Sequence, residues 1–220
     1  MESPKVALIA GASGLVGSHC LQLLLQSPRY RKVISVGRRE LPVQHPKLQQ
    51  VVVDFNHLEK HRHSLTADDV YCCLGTTIKK AGSQEKFKQV DYTYVVNLAK
   101  VTSHTFAAQF LVVSALGADA GSRLFYNRVK GEMEQAVQAL PFTAVHIFQP
   151  SLLLGDRPEV RFGEKAAEVF MKLFGFIFKG PLRKYRAIPA KAVAKAMLEA
   201  AKQDGGGVQR HPSVQMQQYN

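Results

Sequence analysis

The chain has 220 residues, 46% apolar and 21% charged, with 16 Gly and 10 Pro, a globular composition that excludes a disordered or collagen-like chain. Basic residues outnumber acidic ones by 29 to 17, giving +12, which favours phosphate-bearing partners such as nucleotides, coenzyme esters, nucleic acid or anionic lipid. Because Lys and Arg are spread along the whole chain, a solvated basic surface is the first reading of that charge; nucleic-acid and peripheral membrane contact rank below it. In chain order, apolar and β-branched runs at 6–10, 33–36, 50–55, 70–74, 110–114 and 144–148 predict strands. Helix formers with apolar residues three and four apart predict helices over 14–26, 84–104 and 124–140, with a weaker and shorter one over 56–64. Strands that are apolar throughout and alternate with helices predict a mainly parallel sheet covered on both faces, the doubly wound Rossmann fold of the α/β class. After Phe148 the pattern changes. Gln149-Pro150-Ser151 breaks the strand, and Gly155-Asp156-Arg157-Pro158 opens a loop before a Phe-rich stretch, so 151–185 is read as a small cap on the substrate side. A closing helix follows over 186–203, its core at 190–202. Asp204-Gly205-Gly206-Gly207 then releases a tail, 204–220, that is either a short edge strand or a frayed end. One domain over 1–220, with a core over 1–150, is expected.

The most specific local pattern is Gly11-Ala-Ser-Gly-Leu-Val-Gly17, which lies between the first predicted strand and the first helix. Gly11 permits a sharp exit from the strand, Gly14 lets backbone approach a diphosphate, and Gly17 lets helix and strand pack closely. With Ser13, Leu15 and Val16 these residues make a dinucleotide cradle, the helix N–H groups facing the phosphates. About twenty residues further on, where an NAD-binding protein carries Asp or Glu for the ribose, this chain has Gly37-Arg38-Arg39. Two guanidinium groups there suit a 2′-phosphate, so NADP(H) is expected over NAD(H), with Ser13 as a supplementary donor. The alternative is that Arg38 and Arg39 are solvated strand-end residues. Asp54, closing the third strand, and Gly75-Thr76, closing the fourth, fall where adenine and ribose would lie, and either is also a fair helix cap or turn.

Tyr126 and Lys130 stand four apart on a predicted helix and therefore share a face. An ammonium beside a phenol favours its ionised form and makes it a usable acid-base group. Ser114, ending the preceding strand, can hydrogen-bond a substrate carbonyl and fix it for proton exchange with Tyr126.

With these residues in view the sequence resembles the short-chain dehydrogenase/reductases. The resemblance runs through Gly11 to Gly17, Gly37-Arg-Arg39, Val53-Asp54-Phe55, Cys72-Cys-Leu74-Gly75-Thr76-Thr77, Ser114-Ala-Leu-Gly-Ala-Asp119 and Tyr126-Asn-Arg-Val-Lys130. The runs 72–77 and 114–119 are most similar to the small atypical branch of Tat-interacting-protein oxidoreductases. The resemblance implies an NADP(H)-binding Rossmann protein with Ser114, Tyr126 and Lys130 as its catalytic set. It further implies that Asp54, Phe55, Leu74, Gly75, Thr76, Tyr126, Lys130 and Pro150 join the cradle in holding the cofactor. Two positions depart from the pattern: Asp91 stands where many extended members carry Asn, and Gln149-Pro150-Ser151 replaces Arg-Pro-Gly. They bear on the water relay and on the nicotinamide-side contact. Members of that branch also act as binding or regulatory proteins, so an NADPH sensor presenting a surface to a protein partner is the alternative to an enzyme acting on a carbonyl or alcohol.

The remaining features carry less. Cys20, Cys72 and Cys73 have no ligand spacing, and the adjacent pair should point to opposite faces of a strand; reduced, packed thiols and a cytoplasmic location are expected. His57, His61 and His63 lack the carboxylate or thiol that would complete a metal site, so no metal is expected. Phe162, Phe170, Phe174, Phe176 and Phe178, with Lys165, Lys172 and Lys179 among them, read first as packing of the cap and second as an apolar pocket wall or membrane contact. No apolar run reaches the about 18 residues of a spanning helix, and no secretory leader is visible at Met1-Glu2-Ser3-Pro4-Lys5.

Overall fold

The computed structural model describes residues 4–155, 185–203 and 205–220. Within them the chain runs β1 (Lys5–Ala10), α1 (Leu15–Gln26), β2 (Tyr30–Gly37), β3 (Leu48–Val52), a 3-10 helix (Leu58–Leu65), β4 (Asp69–Cys72), α2 (Ile78–Ala81) and α3 (Gln84–Lys88). A π segment (Gln89–Thr93) then leads into α4 (Tyr94–Ser103), β5 (Gln109–Val113), α5 (Phe125–Gln138) and β6 (Ala144–Gln149). The short strands β7 (Leu153–Leu154) and β8 (Ile188–Pro189), α6 (Ala190–Ala200) and β9 (Gly207–Pro212) complete the elements that concern the site. The main sheet has the order β3-β2-β1-β4-β5-β6-β9, and every pairing in it is parallel. This is the Rossmann arrangement, in which the chain starts in the middle and winds outwards in both directions.

The apolar strands are buried on both faces because helices cover both. Leu8, Ile34, Val70, Val112 and Ile147 pack towards α4 and α5 with Leu98 and Met133, whereas Ile9, Val33, Leu111 and Phe148 pack towards α1 and α6 with Leu24 and Val193. Cys72 joins the first layer and Cys73 borders the second, so the adjacent thiols do face opposite ways. Burial pushes the Cys72 thiol up to about 12, which makes it an inert core group.

Several boundaries differ from the sequence reading for identifiable reasons. The helix expected over 84–104 is divided by the π segment, where one extra residue is accommodated and Asp91 is turned into the interior. The weak helix over 56–64 is a 3-10 helix that buries Leu58 and Leu65 and is tied by Arg62 to the His104 carbonyl (2.9 Å). β3 ends at Val52, which leaves Asp54 and Phe55 beyond the strand, and Leu74 and Ser114 likewise follow their strands. The C-terminal stretch contributes β9, which adds to β6 as the sheet edge. Asp156, Arg157 and Pro158, the cap expected over 151–185 apart from its two ends, and the five phenylalanines with Lys165, Lys172 and Lys179 lie outside the described residues. Among the described residues no helix is long and apolar enough to cross a membrane.

Candidate active site

A parallel sheet brings the carboxyl ends of its strands to one rim, and every sequence-derived candidate lies on that rim or on the helices leading from it. Gly11 leaves β1 with φ of 81°, a left-handed conformation that favours glycine. A Cβ there would lie 2.5 Å from the Cys73 carbonyl oxygen, so the turn from β1 presses directly on the turn from β4. The Gly14 N–H donates to the Gly11 carbonyl (2.9 Å), and a Cβ on Gly17 would collide with that same carbonyl. Helix α1 thus sits against the turn with no room for side chains. Its N-cap is Gly14, without a side-chain cap and without an acidic residue in the first turn. The free N–H groups and the positive end of the helix dipole therefore open towards solvent beside exposed Ser13 and Gly14, while Val16 packs inwards. A diphosphate fits this donor set.

Arg38 and Arg39 directly follow β2, the strand next to β1, and both are exposed. Among the described residues neither has an ion-pair partner. Asp54 is a turn residue: its Oδ1 accepts from the Asn56 N–H (2.9 Å) and Asn56 Nδ2 (2.8 Å), and its Oδ2 meets His57 Nδ1 at 2.9 Å. The Asn56 N–H and then the His57 ring hold this exposed carboxyl below its ordinary range. Phe55 is buried and stacks on Tyr94 with ring centroids 5.4 Å apart, so its ring belongs to the core.

Helix α5 carries Tyr126, Lys130 and Glu134 at successive four-residue steps, one face of the helix turned to the sheet. Lys130 is 4% exposed and its Nζ lies 2.7 Å from Oδ1 of Asp91, itself 1% exposed. The two form a buried ion pair, and Asp91 Oδ2 accepts from the Thr76 N–H at 2.8 Å. Burial works against the Lys130 ammonium, but Asp91, and behind it Tyr126, outweighs that and holds it above its ordinary value. Gly75 lies over the pair: a Cβ there would sit 3.3 Å from Asp91 Oδ1 and 3.8 Å from Lys130 Nζ. The Leu74–Thr76 turn, Asp91 and Lys130 are therefore one unit. Tyr126 is half-buried, its ring 5.3 Å from that of Phe87.

Ser114 already has a partner within the protein. Its buried hydroxyl donates to Glu134 Oε1 at 2.5 Å. Gln149 Nε2 donates to both Glu134 oxygens (3.0 and 3.1 Å), and Arg210 Nε of β9 stands 3.9 Å from Oε2. Pro150 is buried and its carbonyl accepts the Leu116 N–H at 2.8 Å. Glu134 and Arg210 were missed in the sequence. Glu134 repeats the spacing of Tyr126 and Lys130 and was open to detection on that ground, whereas nothing local links Arg210 to it.

The rim therefore combines an uncapped helix amino end with a tyrosine and lysine on one helix face, the layout of a dinucleotide-binding Rossmann protein of the short-chain dehydrogenase/reductase class. Comparison with known proteins narrows this. The NAD(P)H-binding family model matches residues 11–204, and the chain belongs to that family as an atypical short-chain dehydrogenase/reductase. It is 37% identical over 207 residues to rat protein HTATIP2, covering 92% of this chain and 84% of that one. It is 30% identical to the mitochondrial protein FMP52 of Candida glabrata, covering 96% and 91%. The Bordetella bronchiseptica enzyme WbmH, solved with NAD+, has the same fold at 17% identity, with a TM-score of 0.68 over 95% of this chain and 76% of that one. The cytoplasmic expectation is overturned by the FMP52 relatives, which are named mitochondrial. Unpaired thiols mark a reducing compartment and do not single out the cytoplasm.

Proposed function

We propose that the chain is an NADP(H)-dependent oxidoreductase that moves hydride between the nicotinamide and a carbonyl compound or alcohol, small or lipid-like. One observation carries the reading: the uncapped amino end of α1 and the Tyr126–Lys130 face of α5 share the carboxyl rim of the sheet. The Gly11–Gly17 turn would hold the diphosphate, and Arg38 and Arg39, with Ser13 beside them, a 2′-phosphate. Leu74, Gly75 and Thr76 would line the ribose side. Bound there, NADP(H) supplies or accepts the hydride. Tyr126 exchanges the proton with the substrate oxygen, and Lys130, paired with Asp91, follows it on the same helix face. Ser114 holds α5 against the end of β5 through Glu134.

A panel of aldehydes and ketones with NADPH tests this reading. Turnover should fall by about 100-fold or more in Tyr126→Phe while NADPH binding is retained; turnover unchanged by the substitution contradicts the assignment. A second reading, an NADPH sensor with little turnover that presents a surface to a protein partner, is favoured by a specific observation. Both Lys130 and Ser114 are already engaged by buried carboxylates, Asp91 and Glu134. On that reading NADPH stabilises the fold and no member of the panel is reduced.

A further inference from the structure

We infer that the opposite rim of the sheet, where the strands begin, carries a second anion site that takes a phosphate group. The same parallel topology that gathers strand ends at the dinucleotide rim gathers strand starts here. On the neighbouring strands β3, β2 and β1 those starts bring Lys47, Arg31, Lys32 and Lys5 together, although the sequence scatters them. Beside Arg31 and Lys32 lies an open surface groove of about 370 Å³, lined also by exposed Gln49, His63, Ser64 and Thr66 over an apolar floor of Val6 and Ile34. The volume is at the small end of ligand pockets and suits a phosphate with a modest organic remainder.

The charge at this rim is unevenly compensated. Arg29 is paired with Asp69 (3.4 Å), whose same oxygen accepts the Tyr30 hydroxyl (2.7 Å), and Lys47 donates to the Ser27 carbonyl (2.9 Å). Asp68, the other carboxylate here, accepts the Val6 N–H at 2.7 Å. Arg31, Lys32 and His63, the residues that line the groove, have no ion-pair partner among the described residues, and no carboxylate joins the lining. Two permanent cations placed around one groove repel each other until an anion enters, and the attraction is strongest for an anion that also accepts hydrogen bonds. The remaining polar wall supplies that complement: the Ser64 hydroxyl, the Gln49 amide and the His63 ring, with the Thr66 hydroxyl beside them donating to the His63 carbonyl (3.4 Å). Arg and Lys together with hydroxyl donors are the chemistry of phosphate recognition. The site is distinct from the dinucleotide cradle, since it uses the other ends of the same strands.

The experiment is a titration of the full chain with inorganic phosphate, followed through backbone amide resonances. A parallel arm measures co-sedimentation with phosphatidylcholine vesicles with and without phosphatidic acid. Phosphate should move the signals of residues 31, 32, 49, 63, 64 and 66 saturably at constant ionic strength. An Arg31→Gln, Lys32→Gln pair should weaken the effect by about tenfold or more, and the exposed Lys100→Gln on α4 should leave it unchanged. If vesicles also respond and that response needs Arg31 and Lys32, the phosphate belongs to a lipid headgroup; if only free phosphate responds, it belongs to a soluble ester. The proposal is overturned if neither arm responds, or if Lys100→Gln costs as much as the pair, which would reduce the effect to diffuse attraction by the net charge. Because NADPH binding uses the other rim, its stabilising effect should survive in the Arg31, Lys32 variant and serves as the folding control.

Discussion

A buried ammonium with its own carboxylate polarises a neighbouring phenol less than a bare one, because the two charges largely cancel beyond a few ångströms. Asp91 has that effect on Lys130. Removing one member of such a pair leaves the other charge buried and unpartnered, which typically costs 3–5 kcal/mol, whereas removing both is far milder. Asp91→Asn keeps an oxygen for the Thr76 N–H, so the loss of charge is the main change. We expect it to destabilise the fold by about 3 kcal/mol in urea unfolding, and Lys130→Met in the same chain to recover most of that. Strictly additive losses would mean that the 2.7 Å contact carries no energy. The pairing was only half legible in the sequence. Asp91 stood out by its type, but its partner lies on another helix and is reached only because the π segment turns the carboxylate inwards.

Helix α5 shows what periodicity can and cannot deliver. Tyr126 and Lys130 were legible as one face because the four-residue step is intrinsic to the helix; the next step, Glu134, completes a row that ties α5 to β5, β6 and β9. The bond from Ser114 to Glu134 was not legible, because position at a strand end does not say which way a hydroxyl donates. At the β6–β9 edge, β6 was legible from its apolar run, whereas β9 was only one of two readings of a polar tail, and its pairing is held partly by side chains. There His146 Nδ1 lies 3.1 Å from His211 Nε2, and Phe148 stacks on the His211 ring at 4.5 Å. Burial, and secondarily His211, lowers His146 from the ordinary 6.5 to about 4, and burial lowers His211 as well. The unfolded chain therefore takes up these protons first. The edge contributes its full stability above about pH 6.5 and loses it as pH falls towards 4. Melting temperature should fall less steeply across that window in His146→Gln than in the wild type; parallel curves would remove the edge from the acid response.

At the scale of the molecule one topological fact does most of the sorting. Because all seven strands run the same way, Gly11, Arg38, Asp54, Gly75, Ser114 and Pro150 are delivered to one rim, while Lys5, Arg31, Lys32 and Lys47 are delivered to the other. The fold class was legible because fully apolar strands alternating with helices have few other solutions. The tight Gly11–Gly17 turn was legible because its glycines are demanded by close backbone approach, with Gly11 against Cys73 and Gly17 against the Gly11 carbonyl. Long-range pairings such as Asp91 with Lys130 and Glu134 with Arg210 were not, since they depend on how separate elements dock. On the proposed function the α1 amino end receives a diphosphate, and Arg38 and Arg39 hold a 2′-phosphate. The most direct measurement is calorimetric titration of the full chain with NADPH and NADH, alongside an Arg38→Ala, Arg39→Ala variant. One site per chain is expected, with NADPH bound more tightly than NADH by about tenfold or more and that difference lost in the variant; failure of both dinucleotides to bind would refute the proposed function.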